Sequence, residues 1–168
     1  MKHIILTGFM GSGKTSVGIR LSYRLRRAFV DTDRLIEREQ GKAISDIFAL
    51  DGEEVFRKME TQMLRKLAGL KEPQIISTGG GLPVRAENRP LLKALGTVVY
   101  LKVSPETVYE RLRDDTSRPL LQCEDPLSRI RELLAAREGA YREGADVTVA
   151  VDGKSFDVIL EEIEEKTK

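Results

Sequence analysis

The stretch GFMGSGKT, residues 8–15, sets Gly8, Gly13, Lys14 and Thr15 at the spacing G-x-x-x-x-G-K-[ST]. This Walker A pattern describes a loop whose backbone N–H groups surround phosphate oxygens. Gly is about 7% of average composition, so the fixed positions seldom coincide by chance. Gly8, Gly11 and Gly13 allow positive φ and close approach of an anion, so that successive N–H groups can point inward. A helix starting near Lys14 adds the positive end of its dipole. Lys14 would then reach the β- and γ-phosphates, and the Thr15 hydroxyl would ligate Mg²⁺. A purely structural glycine turn would need neither Lys nor Thr after it.

Other residues could act with this loop. Asp31 and Asp33 lie two apart at the end of a short apolar run and point the same way if the strand continues. One could then hold Mg²⁺ while the other takes a proton from an attacking hydroxyl. They could equally form a solvated turn, with Asp33 as N-cap of the next helix. Arg57 and Arg137, taken singly, read as surface arginines. Together with Gly79-Gly80-Gly81 they could form a carboxylate cradle, because Arg offers a planar fork and Gly lets backbone N–H groups come close. Arg118 sits in a polar stretch and could clamp charge on a transferring phosphoryl group. Arg111 could stack on an adenine ring. His3 reads as structural, and Cys123 is assigned no role.

The elements that must position these residues alternate between strand and helix. Strands are expected at residues 2–7, 28–31, 74–78, 97–103 and 146–151. Helices are expected at 14–26, from about Leu35 to Gly41, at 53–67, 85–94 and 126–144, and from about Ser155 onward. Ser45 or Asp46 could cap a short helix closed by Asp51-Gly52, and Ser104-Pro105 opens one that runs to about Arg113. The polar, aperiodic segment 114–125 is expected to be a mobile lid. This alternation implies an α/β fold with a parallel sheet covered on both faces and ligands beyond the carboxyl ends of its strands. No linker or repeat interrupts residues 1–168, so one domain is expected.

Composition narrows the function classes. The chain has 168 residues, 40% hydrophobic and 33% charged, with a formal net charge of +1. Such a balance supplies no bulk field toward nucleic acid or membrane. A single cysteine excludes an internal disulfide and suggests a reducing, cytoplasmic setting. The apolar N-terminal run passes straight into the glycine loop and reads as a strand rather than a signal peptide.

The sequence resembles the shikimate kinase family. The resemblance lies in Phe29 to Glu37 (FVDTDRLIE), Phe56 to Glu60 (FRKME), Ser77 to Gly81 (STGGG), Arg118 to Leu121 (RPLL) and Arg137 with Tyr141, in order and spacing from about Lys2 to Ile163. It implies a three-layer P-loop fold with strand order 2-3-1-4-5, a substrate-binding helical region at 33–61, and a monomer. It implies ATP and Mg²⁺ as cofactors, with Gly11, Ser12, Gly13, Lys14, Thr15, Ser16, Arg111 and Arg118 on the nucleotide and Thr15 and Asp31 on the metal. Asp33, Arg57, Gly79, Gly80, Gly81 and Arg137 would bind shikimate, and Asp33, Lys14 and Arg118 would be catalytic. The implied reaction phosphorylates the 3-hydroxyl of shikimate, on the route to chorismate and aromatic amino acids. The alternatives are another small-molecule kinase of this fold, such as a gluconate kinase, with no need of an arginine cradle, and a nucleotide-binding regulatory module.

Overall fold

A computed structural model describes residues 2–114 and 123–168. The elements run β1 (His3–Thr7), α1 (Lys14–Leu25), β2 (Phe29–Asp31), α2 (Thr32–Gln40), α3 (Ile44–Asp51), α4 (Glu53–Leu67) and β3 (Ile75–Ser77). A 3₁₀ turn (Leu82–Val84) follows, then α5 (Asn88–Leu95), β4 (Gly96–Lys102), α6 (Pro105–Leu112), α7 (Pro126–Gly144), β5 (Val147–Ala150) and α8 (Phe156–Lys166). All strand pairs are parallel, in the order β2-β3-β1-β4-β5. Most of the expected 114–125 segment, and Arg118 with it, lies outside the described residues.

Period-two alternation in β1 builds the layers. Ile4 and Leu6 join Val17 and Leu21 of α1 and Ile159 and Ile163 of α8 in one core. Ile5 points to the other face and joins Ile36, Phe56, Leu64 and Leu92 from α2, α4 and α5. Both sheet faces are therefore buried, which is why the strands read as continuous apolar runs. The register sets Leu6 against Ser77, and Ser77 against Asp31. Three successive loops thus leave the sheet at one level, at the switch point where β1 lies between β3 and β4.

Close packing of α1 on the sheet depends on Gly18, where an added Cβ would lie 2.3 Å from Phe29 Cε1. Gly18→Ala is expected to lower stability by about 1–3 kcal/mol through overpacking, read as a lower urea midpoint with unchanged slope. His3 is structural, as expected. Its Nδ1 accepts the Gln74 N–H at 2.9 Å, and burial with the nearby Arg27 charge lowers its pKa from the ordinary value.

Two local expectations are corrected. Neither Ser45 nor Asp46 caps α3; the N-cap is Ala43, and Glu37 reaches back from α2 to accept the Ile44 N–H at 3.0 Å. The helix after Pro83 starts at Asn88, because residues 82–84 first form the 3₁₀ turn. Buried Asn88 locks that turn by donating from Nδ2 to the Leu82 carbonyl at 3.0 Å and accepting from the Thr61 hydroxyl at 2.7 Å. Gly96 both caps α5 and opens β4, and a Cβ there would lie 2.0 Å from the His3 carbonyl oxygen.

Candidate active site

The glycine loop leaves β1 and turns into α1. Gly8, Gly11 and Gly13 have φ of 146°, 79° and 93°, values that side chains rarely adopt. At Gly8 there is also no room, because a Cβ would sit 2.7 Å from the Leu101 carbonyl oxygen. Gly13 is the N-cap of α1 and offers no side-chain cap, so the first N–H groups of the helix face the cleft. Lys14 folds over the loop, its Nζ donating to the carbonyls of Gly8 at 2.7 Å and Phe9 at 3.1 Å. One cleft is lined by Gly11, Gly13, Lys14, Thr15, Ser16, Asp31, Asp33, Ser77, Gly79 and Gly80. Buried Ser12 lies on an adjoining hollow with Gly11, Gly13, Ser16 and Phe156. Arg111 walls that hollow and donates to the Gly11 carbonyl at 2.6 Å.

The two aspartates do not extend from one strand. β2 ends at Asp31, which is itself the N-cap of α2: its Oδ1 accepts the N–H groups of Asp33 at 2.9 Å and Arg34 at 3.3 Å. Asp33 sits in the first turn of that helix rather than at its cap. The Thr32 hydroxyl between them accepts the Gly79 N–H at 3.1 Å and ties the β3 loop to α2. Oδ1 of Asp33 is buried and has no hydrogen-bond partner among the described residues. Burial, and then the neighbouring charge of Asp31, raise its pKa to about 6, against the opposing pull of Lys14.

The far wall is built on α4 and α7. Arg57 donates to Glu60 at 2.7 Å and to Glu53 at 3.3 Å, which holds its guanidinium beside Gly81. A Cβ on Gly81 would lie 2.6 Å from both terminal nitrogens of Arg57, so only glycine leaves the guanidinium in place. Arg57, Arg137, Gly81, Glu53, Val84 and Arg85 line a further hollow, and a Cβ on Gly80, which lines the cleft, would lie 3.6 Å from Arg137 Nη1. The Arg137 guanidinium stands 5.6 Å from the ring centroid of Phe9. Apart from Gly8 and Arg118, the nucleotide-, metal- and acceptor-binding residues expected from the sequence line these three hollows.

Glu60 carries no assignment from the sequence, yet it is fully buried and grips Arg57. Its Oε2 has no hydrogen-bond partner among the described residues, and burial raises its pKa to about 7 against the pull of Arg57. Its position three residues after Arg57 was the available signal, since i,i+3 partners share a helix face.

Order 2-3-1-4-5 around a phosphate loop is the architecture of P-loop kinases, and the hollow beyond Asp33 is lined by fixed positive charge. The sequence model of the family described as "Shikimate kinase" matches residues 10–168. A shikimate kinase of Symbiobacterium thermophilum is 46% identical over 166 residues, spanning 98% of this chain and 95% of its own. One from Bacillus cereus is 47% identical, spanning 99% and 98%. Among solved structures, shikimate kinase from Acinetobacter baumannii in complex with shikimate has a TM-score of 0.89 at 40% identity, over 98% of this chain and 92% of that one. The chain belongs to the shikimate kinase family.

Proposed function

We propose that this chain transfers the γ-phosphoryl group of ATP to the 3-hydroxyl of shikimate, using the cleft between the glycine loop and the Arg57–Arg137 wall. The observation that carries the reading is a buried, unpartnered Asp33 carboxylate oxygen between a phosphate loop and two arginines. N–H groups from Gly11 to Ser16 would hold the phosphates, Arg111 would flank the base, and Lys14 would swing from its own loop carbonyls to the β- and γ-phosphates. Arg57 and Arg137 would take the carboxylate of the acceptor, with Gly79, Gly80 and Gly81 allowing its ring to approach. The acceptor O–H would give its proton to Asp33 as its oxygen bonds to γ-phosphorus and the bond to the bridging oxygen of ADP breaks. A pKa of about 6 suits a base that works near neutral pH.

Mg²⁺ fits this donor set. Thr15 and Asp31 line one cleft with the phosphate loop. That matches an ion held by few protein ligands and by substrate phosphates. Thr15 would hold it directly and Asp31 through water, and the ion would supply charge neutralisation at the phosphates. A monomer, a cytoplasmic setting and an acceptor-binding region at 33–61 complete the proposal; no helix among the described residues is long and apolar enough to cross a membrane.

The test is formation of shikimate 3-phosphate from shikimate and ATP. Product absent at millimolar substrate would overturn the assignment. Arg57→Ala and Arg137→Ala are each expected to raise the shikimate KM by roughly 10- to 100-fold, the loss of a charge-assisted hydrogen-bond pair, with the ATP KM little changed. A gluconate kinase would instead phosphorylate gluconate.

A further inference from the structure

The pairing of Arg137 with Tyr141 leaves the tyrosine without a part in the reaction. Tyr141 is fully buried, one turn after Arg137 on α7, so both side chains leave the same helix face. Its hydroxyl donates to the Gly80 carbonyl at 2.7 Å. Its ring stacks on that of Tyr100 of β4, with centroids 5.1 Å apart. The Tyr100 hydroxyl donates to Glu138, which also accepts from Arg142 at 2.9 Å and so pins α7 to the sheet. The Tyr141 ring is therefore fixed from behind, and its hydroxyl, which also meets the Arg137 guanidinium, donates to the middle glycine of the turn.

That choice of partner has a geometric consequence. A trans peptide sends its C=O and N–H to opposite edges, and none of the described peptide bonds is cis. Holding the Gly80 carbonyl fixes the plane of the Gly80–Gly81 peptide and with it the direction of the Gly81 N–H. Neither Gly80 N–H nor Gly81 N–H donates to a protein group among the described residues. The turn is closed by the Leu82 N–H donating to the Gly79 carbonyl at 3.2 Å and the Val84 N–H to the Gly81 carbonyl at 3.1 Å. Consecutive glycines still turn the peptide between them at low cost, and the Tyr141 bond holds that peptide from outside the turn.

We infer that Tyr141 is a positioning residue for the acceptor: its hydroxyl latches the glycine turn to the helix that carries Arg137, presenting backbone N–H and guanidinium as one preformed cradle. The inference rests on the cradle reading above. It assigns a role in binding the carboxylate-bearing ring, and none toward nucleotide.

Tyr141→Phe keeps the ring and removes the latch. The shikimate KM should rise on the order of tenfold, about the worth of one hydrogen bond, with kcat and the ATP KM within about twofold of the parent. Tyr100→Phe, which removes the neighbouring hydroxyl, should leave the shikimate KM unmoved. In the unaltered protein, shikimate should slow amide exchange at Gly81 while ADP does not. A Tyr141→Phe protein with a lower Tm and an unchanged shikimate KM would show a packing role only and overturn the latch, as would Gly81 exchange that shikimate leaves unaffected. Arg137→Ala separates the two levels: an unchanged shikimate KM there overturns the cradle and the latch together, whereas a raised one beside an unmoved Tyr141→Phe overturns the latch alone.

Discussion

Asp33→Asn is expected to lower kcat by about 10²–10⁴, the usual worth of a positioned general base, while the ATP KM stays within a few fold. Asn fills the same space but cannot take the proton of an attacking hydroxyl. The same change should stabilise the ligand-free protein at high pH. The folded pKa of Asp33 is raised from 3.8 to about 6 by burial and by Asp31. Between those values the folded state binds more protons than the unfolded state, so this group's contribution to stability falls as pH rises through the window. Above about pH 6 the buried charge costs on the order of 2 kcal/mol, discounted for partial exposure. The Asn variant should therefore melt above the parent at pH 8 and converge with it at pH 4. With both substrates well below KM, the parent's kcat/KM should climb between about pH 5 and 7 as Asp33 loses its proton. A kcat within tenfold of the parent, or a variant that melts lower at pH 8, would remove Asp33 from the role of base.

The loop and the sheet were legible because their signals are local. A β-branched run, glycines at a fixed spacing and the Lys-Thr that follows determine one another within a dozen residues. The aspartate pair was legible in type but not in geometry. Asp31 ends the strand by capping α2, so the helix begins between the two carboxylates and gives them different surroundings. Glu60 reads as an ordinary helical glutamate beside Arg57, and its value comes from burial by elements distant in sequence. The cap on α3 comes from Glu37, and Tyr141 bonds to Gly80 across 61 positions. Contacts of this kind depend on how layers pack, and no spacing rule announces them.

Lys14→Met is expected to lower kcat by about 10²–10³, the usual cost of losing one donor that stabilises transition-state charge. Met keeps the length and apolar stem but delivers no charge to the β- and γ-phosphates. Two further effects distinguish loss of this lysine from a general disturbance of the loop. In the ligand-free protein Lys14 bonds the carbonyls of Gly8 and Phe9, so the variant should lose about 1–3 kcal/mol of stability, the worth of hydrogen bonds from a charged donor. Lys14 also counters the rise in the Asp33 pKa. Its removal should move the acid limb of kcat/KM to higher pH, because the Asp33 carboxylate loses a stabilising positive charge. The shift is the more telling readout, since it links the donor side of the cleft to the acceptor side through a charge that both use. Lys14→Arg keeps the charge but not the compact ammonium, so it should restore the position of the acid limb more fully than it restores kcat. An acid limb that stays in place in Lys14→Met would mean that Lys14 and Asp33 do not share one electrostatic site.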